Sequence, residues 1–489
     1  MNVIKTAQAR CRAAAARCDI TPPVGIYHRM WGAALHDRAT GVHRPLEATL
    51  MWIEPIRSGE SKSQNAEAPA GASVIVSLDH CVLDSAEMSN IRSAISLAAG
   101  LPAESILVTL THTHGSGWMS RSRSHLPGGE LLGPYLDSLA ARLGELAVEA
   151  KSRIVPVSVV YQSGKCDLAR HRDFYDKERG RYVCGFNPAG LADDSLLLAS
   201  FLTESGERLA TVVNYACHPT TLAWDNTLIS PDWVGAMREV VEREAGGLCL
   251  FLQGASGDLG PAEGFVGDTE VADRNGRKVG YATMASLATM PPPGTQYRYS
   301  GPVTSGTEIG TWRHEIVSGI DQARFETCRW KDIVVELPYR HDLPSLEVTT
   351  AEREHWQERE VAARNAADEA TVRKCRAEVE QRTRQITRLN ALVPGPAYPL
   401  KIRLGILGDA IWIFVPGELY QVFQRQMRSR NPDHPVFVST LTNDWQPGYI
   451  PPASTFGYGI YQEVIAATAA GDLEILIESV SRQLKTFLA

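Results

Sequence analysis

The apolar run Ile106-Leu107-Val108-Thr109-Leu110-Thr111 ends in His112-Thr113-His114, so a chain that folds this run as a strand delivers two imidazoles where strand meets loop. In a strand, residues i and i+2 point to the same face, and neutral imidazole is a common ligand for zinc. The pair is a metal-site address, but a weak one alone. Two half-buried histidines bonded to backbone carbonyls would look the same.

The rest of the chain supplies context. Ala48 to Glu54, Ser73 to Leu78, Val155 to Tyr161, Leu209 to Tyr215, Leu248 to Leu252, Ile406 to Val415 and Pro435 to Leu441 read as strands. Ser85 to Ala99 and Leu132 to Ala150 read as helices between them, and the Ser/Glu/Ala/Gly-rich stretch from Ser58 to Gly71 reads as a mobile loop. This alternation predicts a layered α/β fold, with mixed sheets flanked by helices. Thr349 to Leu392 holds neither Gly nor Pro and is dense in Glu, Arg, Ala and Gln, so it should form one long helix or a helical hairpin. A solvated arm or a homo-oligomer contact is the ordinary reading of such a segment, and no chemistry is assigned to it.

Composition narrows the function. With 489 residues, 44% of them hydrophobic, the chain can bury a large core, and a single catalytic domain spanning 1–489 with insertions is expected. The 49 basic and 56 acidic residues give a net charge of −7 without a basic block, which suggests neither nucleic acid nor an anionic membrane as partner. No apolar stretch is long enough to span a bilayer, and the first residues, with Lys5, Arg10 and Arg12 among alanines, lack the apolar core of a secretory signal. Nine cysteines without a CxxC suit reduced thiols, so a cytoplasmic location is expected. Gly254-Ala255-Ser256-Gly257-Asp258 is neither a phosphate loop nor a dinucleotide fingerprint, and is only a near miss to a serine nucleophile elbow.

Four strand ends then form a constellation. They are His112 with His114; Asn214 to Thr221, where an apolar strand stops at His218 before Pro219; Val415-Pro416-Gly417-Glu418, expected to put a carboxylate in the first turn of a helix; and Asn443 to Pro452, which holds Tyr449 in a Pro/Gly-rich loop. Singly each has a dull explanation, since a glutamate is favourable at a helix N-terminus anyway.

Together they resemble the catalytic domain of the neutral/alkaline ceramidase family, zinc-dependent amidases that cut N-acyl sphingosine. Asp19-Ile20-Thr21-Pro22-Pro23, Gly41 to Leu46, Thr111-His112-Thr113-His114, His218-Pro219-Thr220, Ile229-Ser230-Pro231-Asp232, Gly257-Asp258, Pro416-Gly417-Glu418 and Gly448-Tyr449 occur in the family's order over nearly the whole chain. The resemblance implies Zn2+ held by His112, His218, Glu418 and Tyr449. It implies active-site roles for His114, for an arginine after Tyr161 matched to Arg170 with Arg172 two residues away, and for Tyr461, twelve residues after Tyr449. Such a ligand set activates a water and polarises a carbonyl, with His114 and Arg170 typed to donate to the developing oxyanion and a neutral histidine to pass a proton to the leaving amine.

Two departures bear on substrate. The family's Gly-Asp-Val-Ser-Pro is here Gly257-Asp258-Leu259-Gly260-Pro261, so a serine hydroxyl is replaced by Gly260. After Tyr461 about one helix remains, without the β-sandwich-like domain that follows in ceramidases. The expectation is therefore a zinc amidase acting on a small acyl-bearing molecule other than ceramide. A zinc ester or lactone hydrolase, a true ceramidase and a catalytically inactive relative are the alternatives.

Overall fold

A computed structural model describes residues 2–56 and 71–489; residues 58–70 of the expected loop lie outside the described residues. The architecture is four layers, helix on sheet on sheet on helix. The larger sheet has eight strands in the order Leu248–Gln253, Arg208–Tyr215, Ser195–Thr203, Val155–Lys165, Gln8–Asp19, Glu47–Glu54, Ser73–Leu78 and Ile106–Leu110. Its outermost pair at each end is parallel and the inner pairs are antiparallel, which makes it a mixed sheet. The smaller sheet has four strands, Cys328–Pro338, Ala397–Leu407, Ala410–Phe414 and Val436–Ser439.

Period-two alternation sorts side chains between the layers. Met51 and Ile53 pack with Trp412, Phe414 and Phe437 between the two sheets, while Leu50 and Trp52 face a core covered by the helices Ser85–Ala99 and Leu132–Ser152. Ile411 and Ile413 point the other way, onto the helices Gln421–Arg430 and Asp472–Leu488. Both faces of each central strand are therefore buried, and the sequence shows them as continuous apolar runs.

Two elements depart from expectation. Gln8–Asp19 is a central strand although it reads Gln-Ala-Arg-Cys-Arg-Ala-Ala-Ala-Ala-Arg-Cys-Asp, a composition with little intrinsic β preference. Ala9, Ala13, Ala14 and Ala16 are almost fully buried, on both faces, and Arg12 and Arg17 are paired with Glu54 and Glu47. The run Ile406 to Val415 is not one strand. It is the tip of a hairpin that turns at Gly408-Asp409, pairing Leu407 with Ala410, and Gly408 supplies the positive φ that a two-residue turn needs.

The charged segment is a helical hairpin, Leu346–Asn365 and Glu369–Ala391, capped at its starts by Ser345 and Asp368. It does not stand away from the body. Glu380, on its second helix, receives two hydrogen bonds of 2.9 Å from the buried Arg123 and one of 2.7 Å from Arg384. Among the described residues no helix is long and apolar enough to cross a membrane, and all nine cysteines are free thiols.

Candidate metal centre and active site

Three strand ends meet at one buried point. The strand Ile106–Leu110 runs out into His112, Arg208–Tyr215 into His218, and Ala410–Phe414 into Glu418. His112 Nε2 lies 3.1 Å from His218 Nε2 and 3.3 Å from Glu418 Oε2, and His218 Nε2 lies 3.1 Å from Glu418 Oε2. Glu418 is not in a helix. It pairs with Tyr449 in a short parallel ladder, which sets the carboxylate beside the phenol, and the helix begins only at Gln421. Gly417, at φ 77, makes the turn into that ladder. Tyr449 Oη is 3.3 Å from His218 Nε2, so all four expected ligands share one centre.

The imidazole tautomers follow from their outer contacts. His112 Nδ1 donates to the carbonyl of Cys81 at 2.8 Å and His218 Nδ1 donates to that of Ser256 at 2.7 Å. A carbonyl can only accept, so each Nδ1 carries a hydrogen and Nε2 is the atom each ring turns to the centre. Burial pushes His218 down to about 3, reinforced by Arg172. Burial alone would raise Glu418, but the two imidazoles outweigh it and hold the carboxyl well below its ordinary range. Two imidazole Nε2 atoms and a carboxylate oxygen thus converge at hydrogen-bond distance, a donor set that fits a divalent cation in place of the proton His112 directs at Glu418. His112 itself is pushed up, Cys81 and Glu418 overcoming the effect of burial, which marks the same demand for positive charge. Cys81, His112 and His114 form a second possible triad, but its claim on His112 Nδ1 conflicts with the Cys81 carbonyl.

His112 and His114 reach the site by a different route from the pleat of a strand. The strand ends at Leu110, His112 takes a left-handed φ of 67, and His114 opens a 3-10 turn. A left-handed histidine is strained backbone of the kind found at functional sites. The His114 ring sits 5.0 Å from that of His112 and 4.9 Å from Trp31, and both its nitrogens are buried without a hydrogen-bond partner. Burial, with repulsion from His112 and His218, keeps it well below its ordinary pKa.

The arginine at the site is Arg172, not Arg170. Arg172 is 3% exposed, donates to the Tyr449 hydroxyl at 2.9 Å and to the Gly257 carbonyl at 2.6 Å, and stacks over the Tyr449 ring. Arg170 points to solvent and pairs with Asp167. Two residues apart, the two arginines would share a face of an unbroken strand, but the strand Ala169–His171 ends between them, which sequence spacing could not show. Burial pushes the Tyr449 phenol well above its ordinary pKa, although Arg172 draws it down. Tyr461 lies 5.9 Å from Tyr449, ring to ring, at the start of the short helix Tyr461–Ile465.

A cavity of about 50 Å³ opens beside this cluster, walled by Met30, Trp118, Trp445, Tyr449, Tyr461 and Ile465. Arg384 and Arg388, from the charged hairpin, complete its wall, so this segment is more than the solvated arm its composition suggests. They stand at i+4 and i+8 from Glu380, so a one-sided stripe was present in the sequence, though indistinguishable there from a solvated face. Ser256 is buried behind His218 and bonded to Gln253, which gives it the place of a support rather than a nucleophile. Gly260 pairs with Arg170 in a short ladder, and a Cβ there would have only Thr220 Oγ1 within reach, at 3.7 Å.

No protein-family model and no curated protein matches the sequence. Among solved structures, the neutral ceramidase from Pseudomonas aeruginosa superposes with a TM-score of 0.61 at 14% identity, over 98% of this chain and 74% of that one. A ceramidase complexed with C2 superposes with the same TM-score at 15% identity and the same coverage. The protein has the neutral ceramidase fold.

Proposed function

We propose that this protein is a zinc-dependent hydrolase that cleaves a C–N amide bond in a small acyl-bearing substrate other than ceramide. The observation that carries this reading is the convergence of His112 Nε2, His218 Nε2 and Glu418 Oε2, with Tyr449 Oη beside them, in ring orientations that outer hydrogen bonds have fixed. Two imidazoles, a carboxylate and a phenol are a donor set suited to zinc. Once bound there, the ion would supply Lewis acidity, polarising an acyl oxygen and lowering the pKa of a water from about 15.7 towards about 7.

The chain's own residues would do the rest. His114, neutral and free at both ring nitrogens, is placed to take a proton and return it to a leaving amine. Arg172 holds the Tyr449 hydroxyl and fixes the phenol's orientation at the centre. Trp118, Trp445 and Met30, each at most 5% exposed, keep the cavity dry and strengthen every polar contact in it. Gly260 leaves no hydroxyl where the family has a serine, and a site that cannot pair a substrate hydroxyl loses about 1–3 kcal/mol of binding for it.

The test is metal analysis with a panel of N-acyl and O-acyl substrates, a long-chain ceramide included. One zinc per chain and faster turnover of short amides are expected. Ester or lactone turnover without amide turnover overturns the C–N assignment. A clear preference for ceramide, not improved by Gly260→Ser, restores a ceramidase.

A further inference from the structure

We infer that the substrate carries a carboxylate, which Arg388 receives where the inner cavity meets its outer mouth. The inference rests on the amide-hydrolase reading and names the substrate class for it. A second cavity, of about 200 Å³, lies against the first and is lined by Gly32, Glu380 and Gln381. The two share Arg384, Arg388, Tyr461 and Ile465, so anything that reaches the metal centre from this side passes the two guanidiniums.

Their situations differ. Arg384 already has a counter-ion, Glu380 at 2.7 Å, and its guanidinium also lies over the Trp118 ring. Glu380 is further engaged by both terminal nitrogens of Arg123. Two arginines thus share one carboxylate. Arg388 is 6% exposed, and its hydrogen bonds go only to the neutral amide oxygen of Gln385, from Nε at 3.1 Å and from Nη2 at 2.6 Å. Among the described residues no carboxylate pairs with it.

A guanidinium remains protonated in proteins, and a buried charge is normally paired because isolation from both water and a counter-ion is costly. Charge at the centre does not remove the need: a divalent ion there would more than offset Glu418, leaving the cavity in want of an anion. A carboxylate suits the planar fork of the guanidinium and a cavity this small. Arg388 also packs on the metal-site loop, since its Cδ lies 3.9 Å from where a Cβ on Gly448 would stand, one residue from Tyr449. An anion held by Arg388 would therefore fix the substrate's register relative to the centre.

The experiment compares kcat/KM on zinc-loaded protein for two matched pairs. N-acetylglycine against N-acetylglycinamide puts the charge on the amine side, and N-methylsuccinamate against N-methylbutanamide puts it on the acyl side. At least one charged member should exceed its neutral partner by roughly 30-fold, chiefly through KM. In Arg388→Met that ratio should fall towards 1, and Arg388→Lys should recover part of it. Calorimetric binding of the same four compounds provides a readout independent of turnover, and thermal melts report whether each variant folds. Equal turnover and equal binding of charged and neutral members in the wild type overturn the carboxylate while leaving the amide hydrolase intact. If no amide turns over but the carboxylates bind in an Arg388-dependent way, the hydrolase reading falls and the anion site stands. A preference that survives in Arg388→Met moves the carboxylate away from Arg388 and refutes the assignment.

Discussion

The His112–His218–Glu418 cluster and the charged hairpin meet in one cavity, yet they are built on opposite physical logic. The cluster is polar atoms at the ends of buried apolar strands. His112, His218 and Glu418 are at most 8% exposed, and their geometry is set by backbone carbonyls and a two-residue ladder. The hairpin is a largely solvated amphiphile whose second helix is tied down by ion pairs, with Glu380 between Arg123 and Arg384. The clustered polar groups are thus carried by the sheet, where the backbone is over-determined, and part of the wall by a helical hairpin held through side-chain ion pairs. The comparison teaches that a charge-rich helix should be read by what its stripe faces, not by its mean polarity.

The sharpest way to break this contrast is to remove a ligand. His112→Ala, His218→Ala and Glu418→Ala should each lose most of the zinc, measured by atomic emission on dialysed protein, and at least ~10³-fold in activity. Full metal content in all three would dismantle the proposed centre.

Next in size is the anchor of the hairpin. Glu380→Gln strands the buried Arg123 and should destabilise the protein by about 3–5 kcal/mol in urea titration. Burial alone would raise the Glu380 carboxyl, but Arg384 and Arg123 overcome it and lower it from 4.5 to about 2. Because the folded pKa is depressed, its stabilisation, on the order of 3 kcal/mol, is present above pH 4.5 and is lost as pH falls towards 2. An acid limb of stability unchanged in Glu380→Gln would show that the anchor does not hold the hairpin.

His114→Ala should keep its zinc and lose roughly 10²-fold in kcat. Should it shed zinc while His112→Ala retains it, the two histidines exchange roles. The smallest contrast compares neighbours: Arg172→Ala should cost about 10-fold or more through the Tyr449 contact, and Arg170→Ala less than about 2-fold, as for a surface pair. Equal effects would mean that Arg172 does not act through Tyr449.

Much of the molecule was legible beforehand because the strands are buried on both faces and the helices Ser85–Ala99 and Leu132–Ser152 are amphipathic. Gln8–Asp19 was not, since alanine carries no strand signal until two layers close over it. The hairpin turn at Gly408-Asp409 hid inside one apolar run for the opposite reason, as strands on both sides of it are equally buried.

By itself the sequence determined which chemical groups stand at the ends of which strands, because burial writes apolar runs and leaves His112, His218, Glu418 and Tyr449 as their punctuation. Only the tertiary structure decided that His218 meets His112 across 106 residues and Glu418 across 200, that Arg172 rather than Arg170 turns inward, and that Arg388 reaches the cavity from the hairpin. Local patterns follow from a residue's own helix or strand period. Which faces meet is fixed by packing between distant segments, and no short stretch of sequence carries that information.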